Sequence, residues 1–581
     1  MRKMRARGCH HRAPAFPRPR RRLGVNLARR SPAQGLNPAI TWVPRRASQE
    51  IACSMSFPGG DGMRHSRMRI LPVALITAAT ALASAASAEM TEDTCSALAE
   101  FAYPDLRIEV AEFLSGATID ETALPNHCRV EGYLEERVGS DGKRYATGFE
   151  LRMPVAWNER FYFQGGGGTD GSIRPAVGVN TIGHPPALTL GFAVVSTDAG
   201  HNLGDRADTS FGLEPKARVD WGYNAIDLTA TVSKALLQAA YGTWPRYSYF
   251  VGNSNGGRQG LIFALRHPNQ FDGILAQNPI RQQTRGHVAG AWSVRVLAER
   301  APTDAAGKPI FTQFLDDADF ALLTRELTAQ CDELDGLKDG VVDSARLCSP
   351  DFSALECRDG ATEECLSRDQ IDAFTLIHEG PVNSAGEELY VPFAYDAGSD
   401  FMGWHIGDAD AFPNNGRKAR NTSMHNVFRD PPDPDFDVYG FDFDTDPVSM
   451  NAAAQFTDAA SADLDAFKGA GGRLIVVHSM GDSGISAVDT TRWFETLQNR
   501  YGAETGSFAR LFLLTGVRHD RTGSGPHVFP GLEMLMAWVE DGSAPDHRSV
   551  SGGTPSRERP LCAYPRYVTW EPATESWGCQ E

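Results

Sequence analysis

Short apolar runs of the kind found in buried strands alternate with helical patterns between about residues 100 and 280. In the longest helical pattern, residues 224–240, apolar side chains recur at helical spacing. Strands that alternate with helices predict a mostly parallel sheet with helices packed on its faces. The strand-like runs are residues 161–163, 192–195, 247–251 and 273–276.

The alternation stops after Pro279 and resumes only near the carboxyl end of the chain. The intervening stretch of about 180 residues is rich in Asp, Gly and Pro. Two further strand-like runs, residues 473–478 and 509–514, follow it. We interpret the interruption as a lid that is inserted into the sheet domain after the strand at residues 273–276.

The motif Gly252-x-Ser254-x-Gly256 lies between the strand-like run 247–251 and a helical pattern over residues 258–266. A serine on so tight a turn, with small residues on both sides, is typical of the nucleophile elbow of an α/β-hydrolase. A glycine-rich turn without chemistry is the alternative, but strand, motif and helix come in the order that the elbow requires. The sequence therefore predicts an α/β-hydrolase fold with a large inserted lid domain. We assign the catalytic domain to residues 89–280 and 466–581, and the lid to residues 281–465.

A serine hydroxyl needs a histidine base and a carboxylate to become a nucleophile at neutral pH. In this fold the chain order is serine, acid, histidine, and the acid and the histidine each follow a strand. Asp482 follows the strand-like run 473–478, and His519 follows the run 509–514. Asp482 could be a simple turn former and His519 an exposed loop residue, but their positions favour a triad with Ser254.

Ester hydrolysis also needs hydrogen-bond donors for the oxyanion that develops on the substrate. We expect one from the backbone N–H of Asn255, which directly follows the serine. The second is expected from Gly167, within the glycine run 165–168 that follows an early strand. A phosphate cradle is the alternative for this run, but no P-loop lysine follows it.

The amino-terminal residues differ sharply from the rest of the chain. Residues 1–50 carry 13 Lys or Arg and one acidic side chain, and residues 63–88 have the basic, apolar and A-x-A regions of a secretory signal peptide. We expect translation to start at Met63 or Met68, with residues 1–62 a mis-called, disordered basic extension. A nucleic-acid-binding arm is the alternative.

Processing would make the mature chain strongly acidic. Residues 1–88 hold 16 basic and 2 acidic side chains, so their removal takes the net charge from −17 to about −31. Such a chain is expected to avoid nucleic acid and anionic membranes. No later apolar stretch is long enough for a membrane anchor, and the predicted location is secreted or periplasmic.

Eight cysteines follow Ala88, and an even number in an exported chain implies disulfides. Spacing alone leaves their pairing open, although pairing of sequence neighbours is the simplest choice. No C-x-x-C pair occurs after Ala88, which disfavours a zinc site. The neighbouring pairs are Cys95 with Cys128, Cys331 with Cys348, Cys357 with Cys365, and Cys562 with Cys579.

An acidic loop within the predicted lid offers hard oxygen ligands. Asp332, Asp335 and Asp339 are interleaved with glycines, and the carbonyls of Leu337 and Val341 could complete the coordination of one Ca²⁺. The spacing differs from that of an EF-hand. A solvated acidic loop is an equal alternative on composition alone.

With these residues in place, the chain resembles the tannase and feruloyl esterase family of secreted α/β-hydrolases. The resemblance covers nearly all of residues 95–580. Besides the acidic loop, it rests on LPNHCRV at residues 124–130, GTDG at 168–171, STDAGH at 196–201, SYFVGNSNGGRQ at 248–259, CLSRDQ at 365–370, GPVNSAG at 380–386 and RPLCAYP at 559–565.

The resemblance implies a serine esterase that forms an acyl-enzyme with esters of aromatic (phenolic) carboxylic acids, such as feruloyl, galloyl or terephthalate monoesters. It also implies a structural calcium ion in the lid on the five residues named above, and it supports the four cysteine pairs. One alternative is an esterase for small aliphatic, sugar or polyester-derived esters. Another is a binding protein that has kept the fold without catalysis.

The chain departs from the family beside the predicted triad. Family members carry one cysteine just before the nucleophile and another just after the catalytic histidine, joined as a disulfide. Here those positions are Asn253 and Asp520. We expect an amide–carboxylate hydrogen bond, worth roughly 1–3 kcal/mol, to replace the covalent link between the two loops.

Overall fold

The computed structural model describes residues 90–179, 184–201, 209–358, 364–407, 425–546 and 548–581. The predicted extension at residues 1–62 and the predicted signal peptide at residues 63–88 lie outside this part of the chain, and both stay predictions. The strands are β1 (Leu106–Leu114), β2 (Thr118–Ile119), β3 (Thr122–Ala123), β4 (His127–Val138), β5 (Arg144–Pro154), β6 (Arg160–Gln164), β7 (Ala193–Thr197), β8 (Tyr247–Asn253), β9 (Gly273–Gln277), β10 (Arg473–Ser479), β11 (Ala509–Leu514), β12 (Arg548–Gly552), β13 (Arg557–Leu561), β14 (Tyr567–Glu571) and β15 (Ser576–Gln580).

Within the described residues, nine of these strands form one mixed sheet in the order β1-β4-β5-β7-β6-β8-β9-β10-β11. Six of them, β7, β6, β8, β9, β10 and β11, run parallel to one another, as the alternating pattern predicts. The other three strands, β1, β4 and β5, extend the sheet as an antiparallel edge. The remaining strands pair into small two-stranded sheets.

The α-helices include long elements that cover the sheet and short ones in the loops. They are α1 (Glu92–Ala97), α2 (Pro215–Val219), α3 (Ala225–Tyr241), α4 (Asn255–Arg266), α5 (Gln283–Ala298), α6 (Asp317–Cys331), α7 (Arg368–Glu379), α8 (His425–Phe428), α9 (Asp446–Ser449), α10 (Asn451–Thr457), α11 (Asp465–Gly469), α12 (Ala487–Tyr501), α13 (Thr505–Phe508) and α14 (Gly531–Asp541). Among the described residues, no helix has the length and apolarity that a membrane crossing requires.

The central strands are buried on both faces of the sheet. Alternate side chains of a strand point to opposite faces, and the two faces have separate apolar cores. Phe161 and Phe163 of β6 pack with Leu236 of α3 on one face. Tyr162, between them in sequence, packs with Leu535 of α14 on the other. The helices are thus held on both faces of the sheet, and the α/β-hydrolase fold is confirmed.

The residues between β9 and β10 form the predicted insertion. These two strands are neighbours in the sheet, yet α5 to α11 lie between them in the chain. Apolar side chains of the insertion, such as Phe374 and Phe401, share a core with Trp221 and Met480 of the sheet domain. The insertion is therefore packed against the catalytic domain; its predicted boundaries at residues 281 and 465 stay predictions.

All four predicted disulfides are present. Their Cα–Cα distances, 4.9 to 5.6 Å, lie within the usual range. The pairing of sequence neighbours is confirmed for Cys95–Cys128, Cys331–Cys348, Cys357–Cys365 and Cys562–Cys579.

Candidate active site

Ser254 occupies the sharp turn between β8, which ends at Asn253, and α4, which begins at Asn255. Its backbone has φ 64° and ψ −123°, a conformation that costs a non-glycine residue roughly 1–3 kcal/mol. The flanking glycines make the turn sterically possible. A Cβ on Gly252 would lie 2.5 Å from the backbone of Gly256, far inside van der Waals contact. The sequence motif thus folds as the expected strand–turn–helix.

Asp482 and His519, which the sequence pairs as acid and base, are in direct contact. His519 Nδ1 lies 2.6 Å from Asp482 Oδ2. The other carboxylate oxygen of Asp482 accepts the backbone N–H groups of Gly484 and Ile485, both at 2.9 Å. The Asp482 side chain is fully buried, and the His519 side chain is 13% exposed. The carboxylate therefore fixes the orientation of a ring that remains open to the site.

The charge state of Asp482 suits this role. Burial by itself would raise the pKa of the Asp482 carboxyl, but His519 and His478 offset it and hold the pKa well below its usual range. His478 Nε2 lies 3.7 Å from Asp482 Oδ2, and its Nδ1 contacts Thr490 Oγ1 at 2.8 Å. Asp482 is thus an anion that can stabilise a histidinium at position 519.

The loops that carry Ser254 and His519 are joined by side-chain amides. Asn278 Nδ2 donates to the backbone carbonyl of His519 at 3.1 Å, and Asn253 Nδ2 reaches the same oxygen at 3.5 Å. Among the hydrogen bonds of the described residues, none joins Ser254 Oγ to the His519 ring. Such bonds are often formed only in the substrate complex, so the serine–histidine bond stays a prediction.

The glycine run after β6 lies against the elbow. A Cβ on Gly256 would lie 2.6 Å from the carbonyl oxygen of Gly166, so the backbones of loop and elbow are in contact. The N–H of Asn255, at the amino end of α4, takes part in none of the hydrogen bonds of the described residues. Gly167 and Asn255 thus belong to two segments that meet beside Ser254, and their role as oxyanion donors stays a prediction.

The family is decided by the extent of the match. The sequence model described as tannase and feruloyl esterase matches residues 128–579. The chain belongs to this family. It is a carboxylic ester hydrolase.

One relative is the mono(2-hydroxyethyl) terephthalate hydrolase of Piscinibacter sakaiensis. It is 38% identical over 518 residues, which cover 80% of this chain and 86% of the relative. Two solved structures share the fold. Feruloyl esterase B from Aspergillus oryzae has a TM-score of 0.71 at 23% identity and covers 84% of this chain and 100% of its own. Tannin acyl hydrolase from Aspergillus niger has a TM-score of 0.68 at 20% identity, with coverages of 85% and 95%.

The prediction of a hydrogen bond between Asn253 and Asp520 of this esterase is wrong, because both side chains bind other residues. The Asp520 carboxylate instead accepts the backbone N–H of Thr522 at 2.9 Å and its hydroxyl at 2.6 Å. The Asn253 amide donates to His519 O and accepts from Asn278. Asp520 binds two residues ahead in its own loop because that contact is local, and Asn278 takes the bridging position.

The predicted calcium loop is ordered by contacts between its carboxylates and its backbone. Asp332 Oδ1 accepts the N–H of Gly340 at 3.0 Å, and Asp335 Oδ1 accepts that of Leu337 at 2.9 Å. Asp339 contacts Arg559, a residue that the sequence reasoning missed, at 2.6 Å. The oxygens have the chemistry that Ca²⁺ prefers, but within the described residues no three acidic, His or Cys side chains converge as a metal site. Calcium stays a prediction.

The lid places an aromatic side chain beside His519. The ring of Trp404, which is half-buried, stands edge-on to the His519 ring with the centroids 5.3 Å apart. A Cβ on Gly484, two residues after Asp482, would lie 2.4 Å from the Trp404 ring. Sequence reasoning missed Trp404 because the lid has no periodic pattern that places its residues in space.

Proposed function

We propose that this chain is an exported serine esterase that hydrolyses esters of aromatic carboxylic acids through an acyl-enzyme on Ser254. The observation that carries the proposal is the 2.6 Å contact between the buried Asp482 carboxylate and His519. Asp482 and His519 lie on two different loops, and amide hydrogen bonds tie the loop of His519 to the loop of Ser254, which itself has elbow geometry.

In the first half of the reaction, His519 Nε2 takes the proton of Ser254 Oγ as the oxygen attacks the ester carbonyl. The backbone N–H groups of Asn255 and Gly167 donate to the resulting oxyanion. When the tetrahedral intermediate collapses, the carbon–oxygen bond to the alcohol breaks, and His519 gives its proton to the leaving alcohol. A water then repeats the sequence on the acyl-enzyme and releases the acid.

Support for an aromatic acyl group comes from two sources. Among the named relatives is a hydrolase of a terephthalate monoester, and the family description includes feruloyl esterases and tannases. In addition, Trp404 offers an aromatic side chain beside His519, and we expect an aromatic acyl group bound at Ser254 to contact this ring. Offset or edge contacts between aromatic rings contribute about 0.5–1.5 kcal/mol beyond the area they bury.

Support for export comes from the signal-like residues 63–88 and from the four disulfides, which persist mainly in oxidising compartments. Expression of the full chain in a bacterial host, followed by amino-terminal sequencing of the exported protein, tests this part. We expect cleavage after Ala88. Uncleaved protein that remains with the cells would contradict export.

The catalytic part is tested with p-nitrophenyl acetate. We expect turnover by the wild type, and a loss of at least about 10³-fold in kcat for Ser254→Ala, since a triad nucleophile is removed. Methyl ferulate, methyl gallate and a terephthalate monoester, compared with ethyl butyrate, then define the acyl group. Higher kcat/KM for the aliphatic ester would reject the aromatic assignment, and an active Ser254→Ala would reject the serine mechanism.

We also propose that the acidic loop at residues 332–341 binds one structural Ca²⁺. Support comes from the buried carboxylates of Asp332 and Asp335 and from the carbonyls of Leu337 and Val341 in the same loop. Because the loop belongs to the lid, we expect the ion to act on stability and to take no part in the chemical steps.

A further inference from the structure

Asp170 is a buried carboxylate behind the glycine run, and no step of the proposed reaction uses it. Its side chain is almost completely enclosed, with 3% of the residue exposed. Both oxygens accept hydrogen bonds from side chains of α4. Oδ1 accepts from Asn255 Nδ2 at 2.5 Å, and Oδ2 accepts from Gln259 Nε2 at 2.7 Å. A carboxylate with two amide donors is firmly held in one orientation.

Each of these two amides leads to one half of the proposed oxyanion hole. Asn255 is itself the residue whose backbone N–H is the first donor. Gln259 Oε1 accepts the N–H of Gly166 at 3.0 Å, next to Gly167, the second donor. Asp170 also closes the glycine run directly, since its own N–H donates to the carbonyl of Gly167 at 3.1 Å.

The carboxylate lies tightly against the backbone that it supports. A Cβ on Gly166 would lie 2.3 Å from Asp170 Oδ2, so the loop has no room to move towards the carboxylate. Asp170 has φ 56°, in the left-handed region that Asp tolerates better than most residues. The glycine run thus leads into a turn that ends at Asp170, and the Asp170 side chain packs against the backbone of this run.

Arg258 completes the network on the far side of Asn255. Its Nε donates to Asn255 Oδ1 at 2.7 Å, and its Nη1 donates to the carbonyls of Gly222 and Thr457 at 2.9 and 2.8 Å. Burial raises the pKa of the Asp170 carboxyl to about 6, while the two amides and the charge of Arg258 act in the opposite direction. A buried cation, Arg258, thus lies close to the Asp170 carboxyl.

We propose that Asp170 is a positioning residue that sets the separation of the two halves of the oxyanion hole. It touches neither the substrate nor Ser254 and acts only through Asn255, Gln259 and the glycine run. The proposal rests on the proposed function, because it assumes that Asn255 and Gly167 are the oxyanion donors. If Asp170 has this role, its loss should weaken the binding of a tetrahedral adduct, which places an oxygen in the oxyanion hole, and should leave the binding of a planar ligand unchanged.

Asp170→Asn is the primary variant. An amide at this position offers one oxygen and one NH₂ group to two donors, so one of the two hydrogen bonds becomes a donor–donor contact. Gln259→Met is the second variant; it keeps the volume of the side chain and removes the link to Gly166. It serves if Asp170→Asn does not fold.

The readout compares a tetrahedral with a planar ligand of the same ring. We expect phenylboronic acid to inhibit the enzyme because Ser254 Oγ forms a bond to boron and His519 takes the hydroxyl proton. The adduct is tetrahedral at boron and places one of its oxygens in the oxyanion hole. Benzoate forms no such adduct. In both variants we expect kcat/KM and phenylboronate affinity to fall together by about 10²–10³-fold, the effect of one lost oxyanion donor. Benzoate affinity is expected to change by less than about threefold.

Asp198→Asn is the matched control. Asp198 is also fully buried, and its Oδ1 accepts the N–H groups of Gly148 and Gly200 at 3.0 and 2.9 Å. Its side chain makes no hydrogen bond to Gly166, Asn255 or Gln259, all of which the structure describes. This variant reports the general cost of altering a buried carboxylate in the same region, and its phenylboronate affinity should match that of the wild type.

The outcomes separate this proposal from the proposed function. Folded variants with unchanged phenylboronate affinity, or with equal losses of phenylboronate and benzoate affinity, would overturn the role of Asp170 while leaving a serine esterase in place. The same loss in Asp198→Asn would also overturn it. A wild type that phenylboronate does not inhibit, or an active Ser254→Ala, would instead reject the serine mechanism, and the role of Asp170 with it.

Discussion

Asn278 joins the loops of all three proposed triad residues, and its removal should therefore affect both stability and turnover. Its Nδ2 donates to His519 O and to Asn253 Oδ1, both at 3.1 Å. Its Oδ1 accepts the N–H of Ser479, three residues before Asp482, at 2.8 Å. Only 1% of Asn278 is exposed, so water cannot replace these bonds without rearrangement.

The expected cost of Asn278→Ala follows from the groups left behind. The N–H of Ser479 loses its partner, and His519 O keeps only the longer contact from Asn253 at 3.5 Å. An unsatisfied buried donor or acceptor costs about 1–3 kcal/mol. Asn278 also has φ 41°, and a left-handed conformation costs alanine about 1–2 kcal/mol. Together these terms predict a fall of about 2–5 kcal/mol in the free energy of unfolding.

Turnover should fall as well, because the position of His519 relative to Ser254 becomes less defined. A barrier that rises by about 1.4 kcal/mol lowers kcat tenfold, and we expect a loss of at least this size with little change in KM. Asn278→Asp keeps the acceptor for Ser479 but turns a carboxylate towards the carbonyl of His519. It should retain more stability than Asn278→Ala and lose a similar share of kcat.

The assay pairs urea unfolding with p-nitrophenyl acetate kinetics. Asn158→Ala is the matched control, because Asn158 also bridges a loop: it donates to Leu190 O at 2.8 Å and accepts from the N–H of Arg160 at 3.1 Å. This control should lose stability and keep kcat. If both variants of Asn278 turned over substrate at the wild-type rate, the bridging role of Asn278 would be refuted.

The other predictions concern the stability of the fold at low pH, the proposed Ca²⁺ and the turn at Ser254. The pKa of Asp482 in the folded protein lies below the unfolded value of about 3.9, so the ionised carboxylate stabilises the fold fully above about pH 5, and this stabilisation is lost as the pH falls through the folded pKa. In urea unfolding, the difference in the free energy of unfolding between wild type and Asp482→Asn should therefore narrow from pH 5 to pH 2. A constant difference would contradict the lowered pKa of Asp482. EDTA should lower the melting temperature, and addition of Ca²⁺ should restore it, since a ligand that binds only the folded state stabilises that state. An unchanged melting temperature, together with no calcium by elemental analysis, would contradict the proposed Ca²⁺ site. Gly256→Ala should abolish turnover, because the added Cβ would lie 2.6 Å from Gly166 O, whereas the control Gly440→Ala, whose Cβ would meet nothing within 4 Å, should retain turnover. The measurement is kcat with p-nitrophenyl acetate, and an active Gly256→Ala would contradict the close packing of the glycine run against the elbow.

The elements that the sequence predicted best are those that depend on short stretches of chain. The strand runs, the turn at Ser254 and the fold follow from local periodicity and from steric limits at Gly252 and Gly256. The cysteine pairs were also correct, since neighbours in sequence were neighbours in space. Asp482 and His519 could be selected because the fold places each after a strand, and the structure brings them into contact.

The contacts that the sequence did not reveal involve residues far apart in the chain. Asn278 lies in no motif, and the motif GTDG that contains Asp170 does not reveal the partners of its side chain; each residue acquires its partners only when distant segments meet. The antiparallel edge formed by β1, β4 and β5 likewise left no signal in the alternating pattern. The error at Asp520 has a local cause. An aspartate readily accepts hydrogen bonds from the residue two positions ahead, and Thr522 supplies both its N–H and its hydroxyl there.

The disulfides of this esterase do not join the loops of the proposed triad to one another. The four disulfides lie in the amino-terminal segment, the lid and the carboxyl-terminal strands, and none contains a residue of the elbow or of the loops after β10 and β11. The loops of Ser254, Asp482 and His519 are joined instead by the amides of Asn253 and Asn278. Hydrogen bonds hold two loops less rigidly than a disulfide does, and the distance between nucleophile and base controls proton transfer. The geometry of the proposed triad is thus expected to depend on the side-chain amides of Asn253 and Asn278, and substitution of each one measures its share.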